Sequence, residues 1–108
     1  MSRYANGVRW EYAVRDWFGR RGYEVIRSAG SHGATDLIAF REDDVILVQC
    51  KVEKKRKRYD DDAEQLRKVK TPTGWRKLLL VKTIGHQVLW IDVMTMHSLS
   101  LSLRSFHD

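Results

Sequence analysis

Two apolar runs joined by a charged turn decide the fold of this chain: Thr35-Asp36-Leu37-Ile38-Ala39-Phe40 and Val45-Ile46-Leu47-Val48-Gln49-Cys50-Lys51. The turn between them runs from Arg41 to Asp44. Short runs rich in β-branched residues on either side of such a turn predict a β-hairpin. In that hairpin Asp36, near the start of the first strand, lies across from Gln49 and Lys51, near the end of the second.

The polar residues of the hairpin share one face of the predicted sheet. Side chains alternate along a strand, so Gln49 and Lys51 face one side while Val48 and Cys50 face the other. An acid, an amide oxygen and an ammonium group then meet at the end of an apolar sheet, which is costly unless they bind something. A divalent metal ion and a phosphate group would satisfy all three.

The composition predicts one domain in a cytoplasmic setting. The chain of 108 residues has 43% hydrophobic residues and four Trp, enough for a single core over residues 1–108. It shows no long apolar segment and no signal peptide, so we expect no membrane partner. Its single Cys suits a reducing, cytoplasmic compartment, either of a cell or of a host infected by a virus.

The positive charge of the chain is concentrated in one stretch. The net charge is +6, and much of the excess lies in residues 51–58. A clustered basic stretch favours a nucleic-acid partner, although a basic chain can also simply be more soluble.

Apolar periodicity predicts two helices. Residues 4–21 carry an apolar stripe at spacings of three and four, and Gly22 follows where a helix commonly ends. Residues 59–69 begin with acids that match the helix dipole, and Pro72 lies beyond their end.

Alternating apolar residues predict further strands at 23–27, 76–82 and 87–93. The tail, residues 96–106, alternates like an edge strand yet could also pack as a short helix. The predicted fold class is therefore α/β, a central mixed β-sheet flanked by helices.

Several short motifs follow one another between residues 7 and 70: Gly7-x-x-x-Glu11, Val25-x-Arg27-Ser28-x-Gly30-Ser31, Asp36-Leu37-Ile38-Ala39 and Val48-Gln49-Cys50-Lys51. Together they resemble the PD-(D/E)xK nuclease superfamily, and within it the archaeal-type Holliday junction resolvases. The resemblance implies a restriction-endonuclease-like fold and Mg²⁺-dependent phosphodiester hydrolysis, with Mn²⁺ as a substitute. It also implies a homodimer that makes paired nicks in a four-way DNA junction.

The resemblance implies a role for each residue of the site. Asp36 would bind the catalytic metal directly, and Glu11 would reach it, often through water. Gln49 would add its side-chain oxygen, and Cys50 its backbone carbonyl. Lys51 would stabilise charge on the phosphorus or orient the attacking water.

Contacts to DNA are implied at two places. Ser31, in a loop of small residues, would contact the scissile phosphate, because glycines let backbone N–H groups approach closely. The flanking phosphates would be held, without sequence readout, by Arg27, Lys54, Lys55, Arg56, Lys57 and Arg58.

Each of these roles has a plainer alternative. Asp36 could accept backbone hydrogen bonds at the start of a strand, and Gln49 could be an ordinary polar residue. Lys51 could be the first residue of a solvated basic run, and Glu11 could pair with a nearby arginine.

The chain departs from the family pattern at two positions. Thr35 replaces a proline before the catalytic acid, which is a common variation. Gln49 stands where most members have Glu or Asp, and an amide lacks the charge that holds Mg²⁺, so we expect weaker metal affinity. The change also leaves open a restriction- or repair-type endonuclease acting on duplex DNA, and a nuclease-fold DNA-binding module that has lost catalysis.

Overall fold

A computed structural model describes residues 3–28, 35–53, 59–83 and 87–106. The elements in this part of the chain are α1 (Arg3–Arg20), β1 (Glu24–Arg27), β2 (Leu37–Arg41), β3 (Asp44–Val52), α2 (Asp60–Arg67), β4 (Arg76–Lys82), β5 (Gln87–Asp92), β6 (His97–Ser102) and a 3-10 helix (Leu103–Phe106). Within these residues, no helix combines the length and the apolar character that crossing a membrane requires.

The strands form one mixed sheet in sequence order, from β1 to β6. β3 and β4 run parallel, and the other neighbouring pairs of described strands are antiparallel. A parallel pair needs a long crossover connection, and the segment that contains α2 supplies it. The mixed sheet with helices confirms the predicted α/β class.

The hairpin of β2 and β3 has the register that the sequence predicts. Leu37 pairs with Val48 and Arg41 pairs with Asp44, so Asp36 lies just before the paired residues, near the end of β3 that carries Gln49. The backbone N–H of Asp36 extends the ladder by donating to the carbonyl of Val48 at 2.9 Å.

A separate hydrophobic core lies on each face of the sheet. The core on the α1 side includes Trp10, Phe18 and Val48, and the core on the α2 side includes Leu47 and Leu66. Strand alternation along β3 therefore puts residues 49 and 51 on the α2 side, and they share the face opposite Val48 and Cys50, as expected.

Gly22 follows α1 with a φ of +88°, a left-handed conformation that glycine adopts without steric cost. The chain can therefore turn directly from α1 into β1. This turn lays α1 against the first three strands.

The tail adopts both of the structures that its sequence left open. Residues 97–102 form the edge strand β6, and the following 3-10 helix buries Leu103 and Phe106. The Phe106 ring lies 5.2 Å from the ring of Trp10, measured between centroids. The tail thus completes the core on the α1 side.

Candidate active site

Asp36 is fixed by backbone hydrogen bonds on both sides. Its carbonyl accepts from the N–H of Ser28 at 2.8 Å, and its N–H donates to Val48 in β3. Its carboxylate oxygen Oδ2 accepts from the N–H of Cys50, also at 2.8 Å. The side chain is therefore held between the end of β1 and the end of β3 before any ligand arrives.

The surroundings of Asp36 oppose its ionisation. Burial raises the pKa of Asp36, and the negative charge of Glu11 raises it further. The Cys50 amide, Lys51 and Arg27 lower the pKa but do not cancel the increase. A half-buried acid with a raised pKa is a common property of functional sites, and a bound cation would favour its charged form.

Gln49 presents a buried oxygen beside this acid. Its Oε1 atom is shielded from solvent and has no hydrogen-bond partner among the described residues. Leaving such a group unpaired costs about 1–3 kcal/mol. A hard cation accepts amide oxygens as ligands, so Gln49 and Asp36 together fit a divalent metal ion.

The carboxylates alone would not make a metal site. In the described part of the chain, no group of three or more His, Cys, Asp or Glu side chains is placed to hold a metal ion. The buried oxygen of Gln49 therefore adds the ligand that the carboxylates of the described residues lack.

Glu11, on α1, borders the site and forms an ion pair with Arg27. The Nε atom of Arg27 lies 2.9 Å from Oε1 of Glu11, and both side chains are mostly buried. The Arg27 guanidinium also lies over the ring of Tyr12, 5.2 Å from its centroid. Pairing with an arginine was the alternative that the sequence left open for Glu11. The negative charge of Glu11 still raises the pKa of Asp36.

Lys51 forms an ion pair with an acid that the sequence analysis did not assign to the site. Its Nζ atom lies 3.2 Å from Oδ1 of Asp62, in the first turn of α2. Asp62 was interpreted only as a charge that matches the helix dipole. The missed signal is its spacing, because Asp62 lies four residues before the buried Leu66 and so shares its apolar helix face.

The side chain of Cys50 packs against the core on the α1 side. Burial raises the pKa of its thiol well above the ordinary value, and the charges of Asp36 and Glu11 add to the effect. Cys50 therefore behaves as a small apolar residue, on the strand face opposite Gln49. Its backbone carbonyl as a metal ligand remains a prediction.

Two predicted groups of residues lie outside the described residues. They are Ser31 and the basic stretch of Lys54, Lys55, Arg56, Lys57 and Arg58. Their assignment to DNA contacts therefore stays a prediction.

The described side chains form a row of charges along one end of the sheet. Arg27 and Glu11 pair on one side of Asp36, and Lys51 and Asp62 pair on the other. Oxygen ligands beside an ammonium group can bind a cation and a phosphate together. Oxygen ligands and an ammonium group are the groups that metal-assisted phosphodiester hydrolysis requires.

Comparisons with known proteins agree with this geometry. The family model described as "Archaeal holliday junction resolvase (hjc)" matches residues 2–101. The crossover junction endodeoxyribonuclease Hjc of Methanocaldococcus jannaschii is 35% identical over 92 residues, which are 83% of this chain and 68% of that protein.

A solved structure supports the fold independently. Archaeoglobus fulgidus Hjc, a Holliday junction resolvase from an archaeal hyperthermophile, matches with a TM-score of 0.66 at 17% identity. The match covers 94% of this chain and 88% of that chain, and it confirms the expected restriction-endonuclease-like fold. By sequence over nearly its whole length, this chain belongs to the archaeal Holliday junction resolvase family, Hjc.

Proposed function

We propose that this protein is a DNA endonuclease that resolves four-way junctions by metal-dependent phosphodiester hydrolysis. Asp36 carries the proposal, because it is held by the amide of Cys50, the residue that follows Gln49, and the buried oxygen of Gln49 has no hydrogen-bond partner among the described residues. The Methanocaldococcus relative is named for cutting crossover junctions in DNA. Residues 1–108 would act as one nuclease domain, and a DNA substrate implies work in the cytoplasm of a cell or infected host.

Mg²⁺ is the proposed cofactor, with Mn²⁺ as its substitute. Asp36 and Gln49 would hold the ion through side-chain oxygens, Cys50 through its carbonyl, and Glu11 through water. When bound, such a cation polarises a phosphoryl oxygen and offsets the charge of the transition state. Since Gln49 is neutral, we expect weaker affinity for the ion than a glutamate would give.

The remaining residues of the site orient and stabilise the reacting phosphate. The Lys51 ammonium lies on the same face as Gln49 and would stabilise negative charge that develops on the phosphate oxygens. Ser31 would contact the same phosphate through its loop. The ion pair of Arg27 with Glu11 keeps Glu11 directed at the site, and the five donors of a guanidinium allow Arg27 to contact a phosphate as well.

The basic stretch that comes after β3 in the sequence would hold the arms of the junction. One residue, Glu53, separates the end of β3 from this stretch, which consists of Lys54, Lys55, Arg56, Lys57 and Arg58. Contacts from such residues to phosphates give affinity and position without reading sequence.

The proposed active form is a homodimer, since two symmetric nicks need two equivalent sites. The apolar surface that supports it lies on β1, β2 and their neighbours, and it comprises Ile26, Ile38, Phe40, Val45 and Trp75. Ile26 is 55% exposed, which is unusual for its size and type.

The rim of this apolar surface favours a second copy of the chain over DNA. Glu24, Arg41 and Glu42 line it, so the rim has both signs of charge in a protein whose net charge is +6. In a two-fold dimer the arginine of one copy can face the acids of the other. On DNA, the same acids would be repelled by the phosphates.

The proposal is tested with a labelled four-way junction beside a linear duplex of the same arm sequences, in Mg²⁺ and in Mn²⁺. Selective cleavage of the junction supports a resolvase. Equal cleavage of both substrates would indicate a duplex endonuclease of the restriction or repair type. Tight junction binding without cleavage in either metal would mean that Gln49 marks a disabled site and that the protein is a binding module.

A further inference from the structure

The ion pair between Lys51 and Asp62 is shielded from solvent. The two side chains are 29% and 19% exposed, and their charged atoms lie 3.2 Å apart. The pair of Arg15 with Asp16 on α1 is far more open, at 44% and 55%. A shielded pair is screened less by salt and holds its geometry better than an exposed one.

The position of Asp62 is not explained by the helix dipole. Three acids begin α2, and Asp60 and Asp61 are exposed, where they can interact with the dipole at little cost. Asp62 instead lies beside the buried Ala63 on the face that packs on the sheet. A carboxylate there is costly unless a cation meets it, and the ammonium group of Lys51 supplies a positive charge at 3.2 Å.

Lys51 also acts on the catalytic acid. Its positive charge lowers the pKa of Asp36, so the ammonium group is close enough for its field to reach that carboxylate. Gln49, two residues before Lys51 on the same face, has no charge with which to hold it. A free lysine side chain has many rotamers, and an anchor on α2 would restrict them before the substrate binds.

We infer that Asp62 is a positioning residue of the nuclease site, which holds the ammonium group of Lys51 beside Asp36. This inference rests on the proposed function. Asp62 uses one of the three donors of the ammonium group, and the phosphate to be cut takes another. Asp62 itself touches neither the phosphate nor the metal ion, so its effect is on the rate of cleavage and not on DNA affinity.

The test compares Asp62→Asn with Asp61→Asn. Both variants remove one negative charge from the same turn of α2, and only the first removes the partner of Lys51. For Asp62→Asn we expect a single-turnover rate on the junction lowered about tenfold, with the junction Kd changed less than about twofold. Asp61→Asn should match the wild type, and Asp62→Glu should recover most of the lost rate because it keeps the carboxylate.

A second readout does not depend on cleavage. Acetylation of Lys51, followed by mass spectrometry, should be faster in Asp62→Asn than in Asp61→Asn or the wild type, because the amine is no longer held. A wild type that does not cleave would overturn the proposed function and this inference with it. A cleaving wild type with equal Lys51 labelling in all variants, or equal rates in Asp62→Asn and Asp61→Asn, would overturn this inference alone.

Discussion

The backbone amide of Cys50 donates a 2.8 Å hydrogen bond to Oδ2 of Asp36. This bond ties the carboxylate of the residue just before β2 to the strand that carries Gln49 and Lys51. It lowers the pKa of Asp36, yet burial raises the pKa by more. The acid is thus held in place, where we propose that it binds a cation, at some expense to the stability of the fold.

We predict that Asp36→Asn stabilises the folded protein at neutral pH. With its pKa raised, folded Asp36 binds protons that the unfolded chain has already released, so the free energy of unfolding falls as pH rises through that window. Asn removes the charge and keeps an oxygen for the Cys50 amide. Thermal melts should show a Tm a few degrees higher at pH 7, with the difference vanishing in acid. A lower Tm at pH 7 would contradict the prediction.

Asp44 should show the opposite dependence on pH. Arg76 donates to both of its carboxylate oxygens, at 3.1 Å and 2.7 Å, and this lowers the pKa of Asp44. Its stabilisation is present above its ordinary pKa and is lost as pH falls through the lowered value. Asp44→Asn should cost about 1 kcal/mol at pH 7 and nothing in strong acid. Asp43→Asn, in the exposed turn, is the control, and an equal loss in both would show that Arg76 contributes nothing specific.

Gln49→Glu should lower the Mg²⁺ concentration needed for half-maximal cleavage by about tenfold, because a carboxylate binds a hard cation more strongly than an amide. Calorimetric titration with Mn²⁺ gives the same comparison without DNA. Gln65→Glu adds the same charge at an exposed position of α2 and should leave both quantities unchanged. Identical metal dependence in the two variants would place Gln49 outside the metal site.

The proposed dimer surface can be tested at one exposed side chain. Ile26→Asp should convert the dimer to a monomer in sedimentation velocity, because it puts a charge into the apolar surface on β1 and β2. Leu99→Asp changes a residue of similar size and exposure, 60% against 55%, on the opposite edge strand. A wild type that is already monomeric, or a dimer broken only by Leu99→Asp, would rule out this surface.

The hairpin and its polar end were predictable because they depend on local alternation. The position of the turn, the pairing of the two strands, and the shared face of Gln49 and Lys51 all follow from residues 35–51. The family resemblance pointed to Glu11, but the sequence could not decide whether Glu11 binds a metal ion or pairs with an arginine, since that depends on how α1 meets β1.

Features that depend on packing between distant elements were missed. Lys77 was interpreted as an ordinary strand residue, yet it is 4% exposed and donates to the carbonyls of Arg67 and Val69 at the end of α2. A buried ammonium group is tolerated there because it satisfies helix-end carbonyls, a role that no local pattern reveals. For Asp62, the spacing to Leu66 places it on the apolar face of α2, but its pairing with Lys51 depends on how α2 packs against β3.

The most direct measurement is single-turnover cleavage of a four-way junction by the wild type and Asp36→Asn, with each of the four strands labelled in turn. The wild type should nick two opposed strands at symmetric positions in Mg²⁺. Asp36→Asn should bind the junction as tightly and cut at least about a thousandfold more slowly. Cleavage that persists in Asp36→Asn would show that the phosphodiester bond is cut somewhere other than at this acid.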